Sequence, residues 1–248
     1  MHGSGHAKAF LARAGAEVRA HLEPLLEPVS LRADQVLIEA GQPIDHVHFL
    51  RSGLATLNCD GPSRQTAVAM IGPEGFTGHS LLLGRNSGPH RTLMQIGGTG
   101  YRMRAQDLKH LAENMPALRL ALLSAIDDLL QQVADAAFAN AQLTVEARLA
   151  RLLLMAADRL GQAEVPLTHD RIALMLGCRR AGVTMSMHLL EGEKAIRAAR
   201  ARIILLDRAR LSDIAGTSYR DEPFALRDGP ARPGHNPQIG LESGPPAA

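Results

Sequence analysis

Tryptophan is absent from this chain, and aromatic residues of all kinds make up only 3% of it. Single-stranded nucleic acid is usually held by stacking bases on aromatic rings, so that mode of binding is not expected. Cysteine is nearly as scarce. Cys59 and Cys178 are the only two, and their separation fits no metal or redox spacing. Thiols so used point to a reducing compartment, and a cytoplasmic location is the expectation. No apolar run approaches the ~18 residues of a membrane span, and the start, MHGSGHAKAFLARAG, lacks the apolar core of a signal peptide. Glycine is missing from Ala105 to Arg159, which marks that stretch as helical.

What the chain does contain is apolar residue and unevenly placed charge. With 46% apolar residues over 248 positions it can build two modest cores. Residues 1–145 carry 12 Lys/Arg against 13 Asp/Glu, whereas residues 146–210 carry 12 against 7, a net of +5. Basic charge is thus concentrated in one segment, as phosphate contacts require, although a solvated arginine face would give the same count.

That segment holds the most informative window, His169 to His188, HDRIALMLGCRRAGVTMSMH. Ile172, Ala173 and Leu176 recur on one face of a first helix, and Val183, Met187 and Leu190 on a second. Gly177 falls between them, where a left-handed turn costs nothing without a Cβ. Thr168 is the expected N-cap, with Asp170 in the first turn. A small residue, Ala173, sits where two helices crossing at about 90–120° must approach. The window reads as a helix-turn-helix whose second helix starts with Arg179 and Arg180. An ordinary αα-hairpin is the alternative.

Upstream, Ser30 to Arg104 reads as short strands (VLIEA, HVHFLRSG, LATLNCD, QTAVAMIG, TLMQIG, GYRM) broken by Gly, Pro, Asn and Asp. Turn signals every ~8–12 residues point to a compact barrel or jelly-roll. Phe10 to Leu26 has helical periodicity and is expected to pack on it. A long helix follows, opening near Pro116 with Asn114 as its cap. In it Leu122, Ile126, Leu129, Val133, Ala136, Asn140 and Leu143 are spaced 4, 3, 4, 3, 4, 3. This is a dimeric coiled-coil seam with Asn140 fixing register. Burial of that stripe against the chain's own barrel is the competing reading. Leu118, Leu123 and Leu130 lie beside it. After the helix-turn-helix, AIRAARARIILLDR reads as a hairpin wing with Arg197, Arg200 and Arg202 at its turn. The expected organisation is an α+β chain. It comprises a cupin-like antiparallel β-roll sensor domain with an N-terminal helix (1–112), a long dimerisation helix (113–145), a winged helix-turn-helix (146–220) and a Pro/Gly-rich disordered tail (221–248).

Three stretches carry a family resemblance: EAGQPIDHVHFLRSGLATL, IGPEGFTGHSLL and, most specifically, LTHDRIALMLGCRRAGVTMSMHLLEGEKAIR. Together with the order of elements they resemble the Crp/Fnr family of bacterial transcription regulators over about residues 20–215. The resemblance implies a homodimer on double-stranded DNA, with RNA polymerase as a further candidate partner and no enzymatic activity. It places Arg180 where the family reads guanine, with Ala181 and Met185 at other base-reading positions and Thr184 on the same helix. Thr168, Arg179 and His188 match phosphate-contacting positions, and Arg200 and Arg202 are wing candidates. In cyclic-AMP-binding members a Gly-Glu pair holds the ribose and an Arg-Ser pair the phosphate. Here these read Gly78-His79 and Arg91-Thr92, and the positions facing the purine are Val133 and Ala134. The implied effector pocket has thus lost its ribose acceptor, and a response to cyclic AMP is not expected. An effector of another kind stays open. Relatives with an iron–sulfur cluster use four cysteines, which this chain does not have, and no cofactor is expected.

Two other functions compete. His46 and His48 alternate on one strand and, with His79, could make a cupin-type metal site for an enzyme or sensor. No carboxylate follows at the cupin interval, and the Pro-x-Gly spacing is one residue too long. A dimeric scaffold whose helix-turn-helix no longer binds DNA is the third reading.

Overall fold

The computed structural model describes residues 10, 14–61 and 65–219. The expected tail, 221–248, and the first nine residues lie outside them. A short helix, α1 (Gly15–Leu22), leads into an antiparallel β-roll. Its strands are β1 (Glu27–Leu31), β2 (Val36–Ile38), β3 (His46–Leu50), β4 (Leu54–Asp60), β5 (Gln65–Ile71), β6 (Arg91–Ile96) and β7 (Gly98–Arg104). They form two sheets, ordered β1-β7-β3 and β2-β6-β4-β5. Leu31, Leu50, Ala55, Ile71 and Met94 fill the space between them. Strand β1 begins three residues before the expected start of the β region. Its sequence EPVSL shows no clean alternation, and Pro28, which cannot donate to a ladder, fits because β1 is an edge.

One end of the roll is closed by α1, Phe10 and two further helices, α2 (Ala105–Asn114) and α3 (Pro116–Gln142). Phe10, Phe49 and Phe76 pack with ring centroids 5.4–6.0 Å apart. Pro116 starts α3 as expected, but Asn114 is not its cap. The Asn114 amide donates back to the His110 carbonyl (2.8 Å) at the end of α2. Met115, forced extended by the following proline, separates the two helices.

Within the single chain the residues of the expected dimer seam are unequally covered. Leu122 is 0% exposed within the single chain, packed with Leu118 on the roll, so it has no surface left for a partner. Ile126 and Leu129 are half-buried on the same side. Gln132 is pinned there too: its amide accepts from the Met70 N–H (2.7 Å) and donates to the Met70 carbonyl (3.0 Å). Val133 and Ala136 are half-buried, and Asn140 is exposed beside them. Leu143 is the extended residue that ends α3, outside any helical stripe. The outward face instead carries Leu120 (70% exposed), Leu123, Leu130 (65%) and Phe138 (52%), together with Ala134, Ala137 and Ala141. Asp127 interrupts that run.

Leu143 and Thr144 form the joint to the C-terminal half. The Thr144 hydroxyl caps α4 (Val145–Leu160) by accepting from the Ala147 N–H. Then come β8 (Glu164–Val165), α5 (His169–Leu176), α6 (Arg180–Gly192), β9 (Ile196–Ala199), β10 (Arg202–Leu205) and α7 (Arg208–Ala215). Their shared core takes in Leu54 and Met70 of the roll. That explains why five successive residues of β4, Leu54 to Asn58, are buried: both of its faces are covered. Among the described residues no helix is long and apolar enough to cross a membrane.

Candidate DNA interface

Local sequence builds the helix-turn-helix as its periodicity requires. Ile172, Ala173, Leu176, Val183, Met187 and Leu190 are all buried in the C-terminal core. The Thr168 hydroxyl accepts from the Arg171 N–H and caps α5. Gly177 ends that helix at φ +62°, where a Cβ would also stand 2.9 Å from the Thr66 hydroxyl, so two constraints select glycine. His169 Nδ1 lies 3.2 Å from the Thr184 hydroxyl and ties the two helices together.

Helix α6 then offers one face outward. Arg179, Arg180 (67% exposed side chain), Ala181, Met185 (63%) and His188 are exposed, and Thr184 is half-buried between them. Two arginines at the positive end of a helix dipole are locally unfavourable. Asp170, 3.3 Å from the Arg180 guanidinium, offsets part of that repulsion. A local rule broken on an exposed surface points to a role outside the fold.

The wing is a tight hairpin with Arg200 and Ala201 at its turn, Ala201 at φ +58°. Arg197, Arg200 and Arg202 are exposed, and Arg202 lies 3.4 Å from Glu164. Strand β8, pairing Val165 with Ile203, makes the wing a three-stranded sheet. Sequence reasoning missed β8 because two residues carry no periodicity. It also missed α7, whose cap was visible: the Asp207 carboxylate accepts from the Arg210 N–H (2.9 Å). Arg208, Asp158 and Tyr219 join α7 to α4.

The first helix of the motif is docked on the roll. Arg171 pairs with Asp34 and donates to the Gln95 carbonyl (3.1 Å). The Gln95 amide donates in turn to the buried Thr56 hydroxyl (2.9 Å), which is bonded to Asn58. Arg148 donates to the Leu176 carbonyl at the C-terminus of α5.

In the roll, Gly78 takes φ +83° at the start of a 3₁₀ turn, and a Cβ there would meet Val47 at 2.8 Å. His79 is half-buried and borders a cavity of about 30 Å³ with Ile126, Leu129 and Arg159. Burial, then the charge of His90, holds its imidazole below the usual range. Arg91 is turned to Glu39, to which it donates two bonds of 2.9 Å, and Thr92 is buried. Neither Arg91 and Thr92 nor Val133 and Ala134 border the cavity that His79 lines.

The residues of the metal reading are not brought together. Among the described residues no three His, Cys, Asp or Glu are placed to hold a metal. His48 is instead buried against the Thr77 hydroxyl, which accepts from its backbone N–H (2.8 Å). Burial first, then the positive charge of His46 and Arg102, brings its pKa down to about 4. An unfolded chain protonates the same ring near 6.5 and so binds more protons between those values. Stability therefore falls as pH drops from about 6.5 towards 4 and levels off below that. In urea titrations across this window, His48→Gln flattens the fall; an unchanged slope would exclude His48 as its source.

Two family models match the chain: the cyclic nucleotide-binding domain over residues 28–114 and the Crp-like helix-turn-helix domain over residues 147–214. No curated protein sequence matches it. Among solved structures it is similar to a Crp/Fnr-family transcriptional regulator from Thermus thermophilus, at 25% identity and a TM-score of 0.63 over 76% of this chain and 98% of that one. FixK2 from Bradyrhizobium japonicum is similar at 18% identity and a TM-score of 0.66, over 77% and 98%. A putative Crp/Fnr-family regulator from Eubacterium rectale is similar at 14% and 0.64, over 81% and 94%. The two models together span more than half of the sequence, in the order in which the roll and the winged motif are built. The chain belongs to the Crp/Fnr family of transcription regulators and is not an enzyme.

Proposed function

We propose that this protein is a homodimeric, sequence-specific regulator that reads an inverted-repeat operator with α6. The observation that carries the reading is the division of that helix. Val183, Met187 and Leu190 are spent on the core, while Arg179, Arg180, Ala181, Met185 and His188 are left facing outward. Arg180 reads guanine through O6 and N7, and Ala181 and Met185 offer apolar contact to a thymine methyl. Thr168, Arg179 and His188 contact phosphates, as do Arg200 and Arg202 from the wing, and Thr184 supports the reading face. The domains divide at about residues 112, 145 and 220. Two copies pair along the outward face of α3, which sets their recognition helices about one DNA turn (~34 Å) apart. The protein acts in the cytoplasm, where RNA polymerase is its candidate partner.

Selection of sites from random DNA with the purified full chain tests this. An inverted repeat with half-sites one turn apart is expected; no enrichment over random sequence would leave a scaffold that has lost DNA binding.

The effector pocket of Gly78, His79, Arg91, Thr92, Val133 and Ala134 does not fit cyclic AMP. A cyclic phosphate would have to displace Glu39 from Arg91, and an imidazole stands in place of the ribose-binding carboxylate. Apolar Val133 and Ala134 would leave purine polar groups unpaired, at ~1–3 kcal/mol each. Calorimetry with cyclic AMP is therefore expected to show no binding, and a micromolar dissociation constant would sink the idea. Two cysteines cannot supply the four thiolates of an iron–sulfur cluster, so the regulator works without one.

A further inference from the structure

We propose that the cavity where the roll, α3, α4 and α5 meet is a binding site for a small oxyanion, held by Arg148 and Arg151. The cavity measures about 50 Å³ and is walled by Met70 of β5, Gln132 and Ala136 of α3, Met155 of α4 and Met175 of α5. By the same measure an ordered water needs ~10–15 Å³, so the space suits a molecule of roughly four or five non-hydrogen atoms. None of Gly78, His79, Arg91 and Thr92 borders it, so it is separate from the family's nucleotide pocket.

Charge identifies the ligand class. Arg148 and Arg151 are three residues apart on α4, which puts both guanidinium groups on one helical face. Both are half-buried, and neither has a carboxylate within ion-pair distance among the described residues. Arg159, farther along the same helix, does have a carboxylate at ion-pair distance, Glu74 at 2.8 Å. Arg148 instead ends on the Leu176 carbonyl and Arg151 on the Ser218 carbonyl (2.9 Å). Each guanidinium has five N–H donors, so one carbonyl leaves most of them for another acceptor. Asp135 acts on Arg151 only at longer range, and burial pulls the Arg151 pKa down. Partly buried positive charge without a counter-charge is costly, and an oxyanion taken in bidentate fashion removes that cost. The alanine and methionine walls also accept a short alkyl group, so the shared chemistry is that of inorganic phosphate and of short-chain carboxylates. A bound oxyanion would touch β5, α3, α4 and α5 together, and so bear on how the helix-turn-helix sits on the roll.

Calorimetric titration of the full chain at constant ionic strength, with inorganic phosphate in one arm and propionate in the other, tests the site without using DNA. One saturable site per chain is expected for at least one of them. Binding of phosphate alone assigns an inorganic oxyanion; binding of propionate alone assigns a carboxylate metabolite. Arg151→Gln and Ala136→Leu should each weaken that binding at least tenfold. The second variant fills the cavity while keeping both charges and every polar contact, so it decides the matter should Arg151→Gln fail to fold. Arg197→Gln, on the exposed wing, should change nothing. Absence of binding in both arms, or binding undiminished in Ala136→Leu, overturns the proposal.

Discussion

Replacing Leu130 by glutamate leaves the protein folded but monomeric, and weakens operator binding by roughly 10²–10⁴-fold. Leu130 is 65% exposed in the single chain and touches no core, so the fold does not depend on it. At a two-fold interface the substitution acts twice. Burying each leucine is worth ~1.5–3 kcal/mol, and the pair therefore ~3–6 kcal/mol of association, which converts to that range. A monomer engages one half-site at a time and loses the joint attachment of two linked recognition helices. Sedimentation measures the association and circular dichroism the fold. Leu122→Ala separates this face from the inward one. It should lower thermal stability, because Leu122 packs on the roll, while leaving the monomer–dimer equilibrium nearly unchanged. A Leu130→Glu protein that remains dimeric would refute the outward pairing face.

The long helix shows where the sequence could be read and where it could not. Leucines at 118, 120, 122, 123, 129 and 130 supply two apolar stripes at once, and spacing alone cannot say which meets the roll. In the stripe from Leu122 to Asn140, Asn140 is exposed, whereas the first part, Leu122, Ile126 and Leu129, packs on the roll. Its partner strand is 62 residues away at Met70, a distance over which no periodicity operates. The outward stripe keeps a three-and-four spacing too, with Asp127 as the polar residue within it. A polar residue in a seam lowers stability and sets register, the role expected of Asn140.

The helix-turn-helix was legible because everything that defines it is local. Its buried residues recur at 3.6-residue spacing, its cap is a threonine and its turn a glycine, all between Thr168 and Leu190. The roll was legible as a class of structure, through turn signals and short apolar runs, yet not in its pairing: β1 joins β7 across some 70 residues. The docking of α5 on the roll was hidden for the same reason. Arg171 and Asp34 are 137 residues apart, and neither shows in the sequence as anything but a surface charge. In Arg91 the sequence preserved the residue type of a phosphate site, but its pairing with Glu39 is a fact of three dimensions.

Arg180→Ala is expected to cost ~1–3 kcal/mol in each half-site, and so about 30- to 10⁴-fold in affinity of the dimer for its operator. Loss of a reading contact differs from loss of a charge. On random DNA the same variant loses one cation per subunit, so its salt dependence shallows slightly while its affinity changes little. Sites selected with Arg180→Ala should therefore turn degenerate at one base position per half-site and stay unchanged elsewhere. Arg202→Ala, altering the wing beside Glu164, should weaken all sequences alike and leave the selected site intact. The decisive variant is Arg180→Lys. Lysine restores the charge but not the planar fork that matches O6 and N7 of guanine. If Arg180 reads a base, lysine behaves like alanine on the operator and like arginine on random DNA. If it only neutralises phosphate, lysine restores both. Removing its exposed partner Asp170 gives a second check, since an ion pair so open to solvent is worth little and Asp170→Asn should leave specificity as it was.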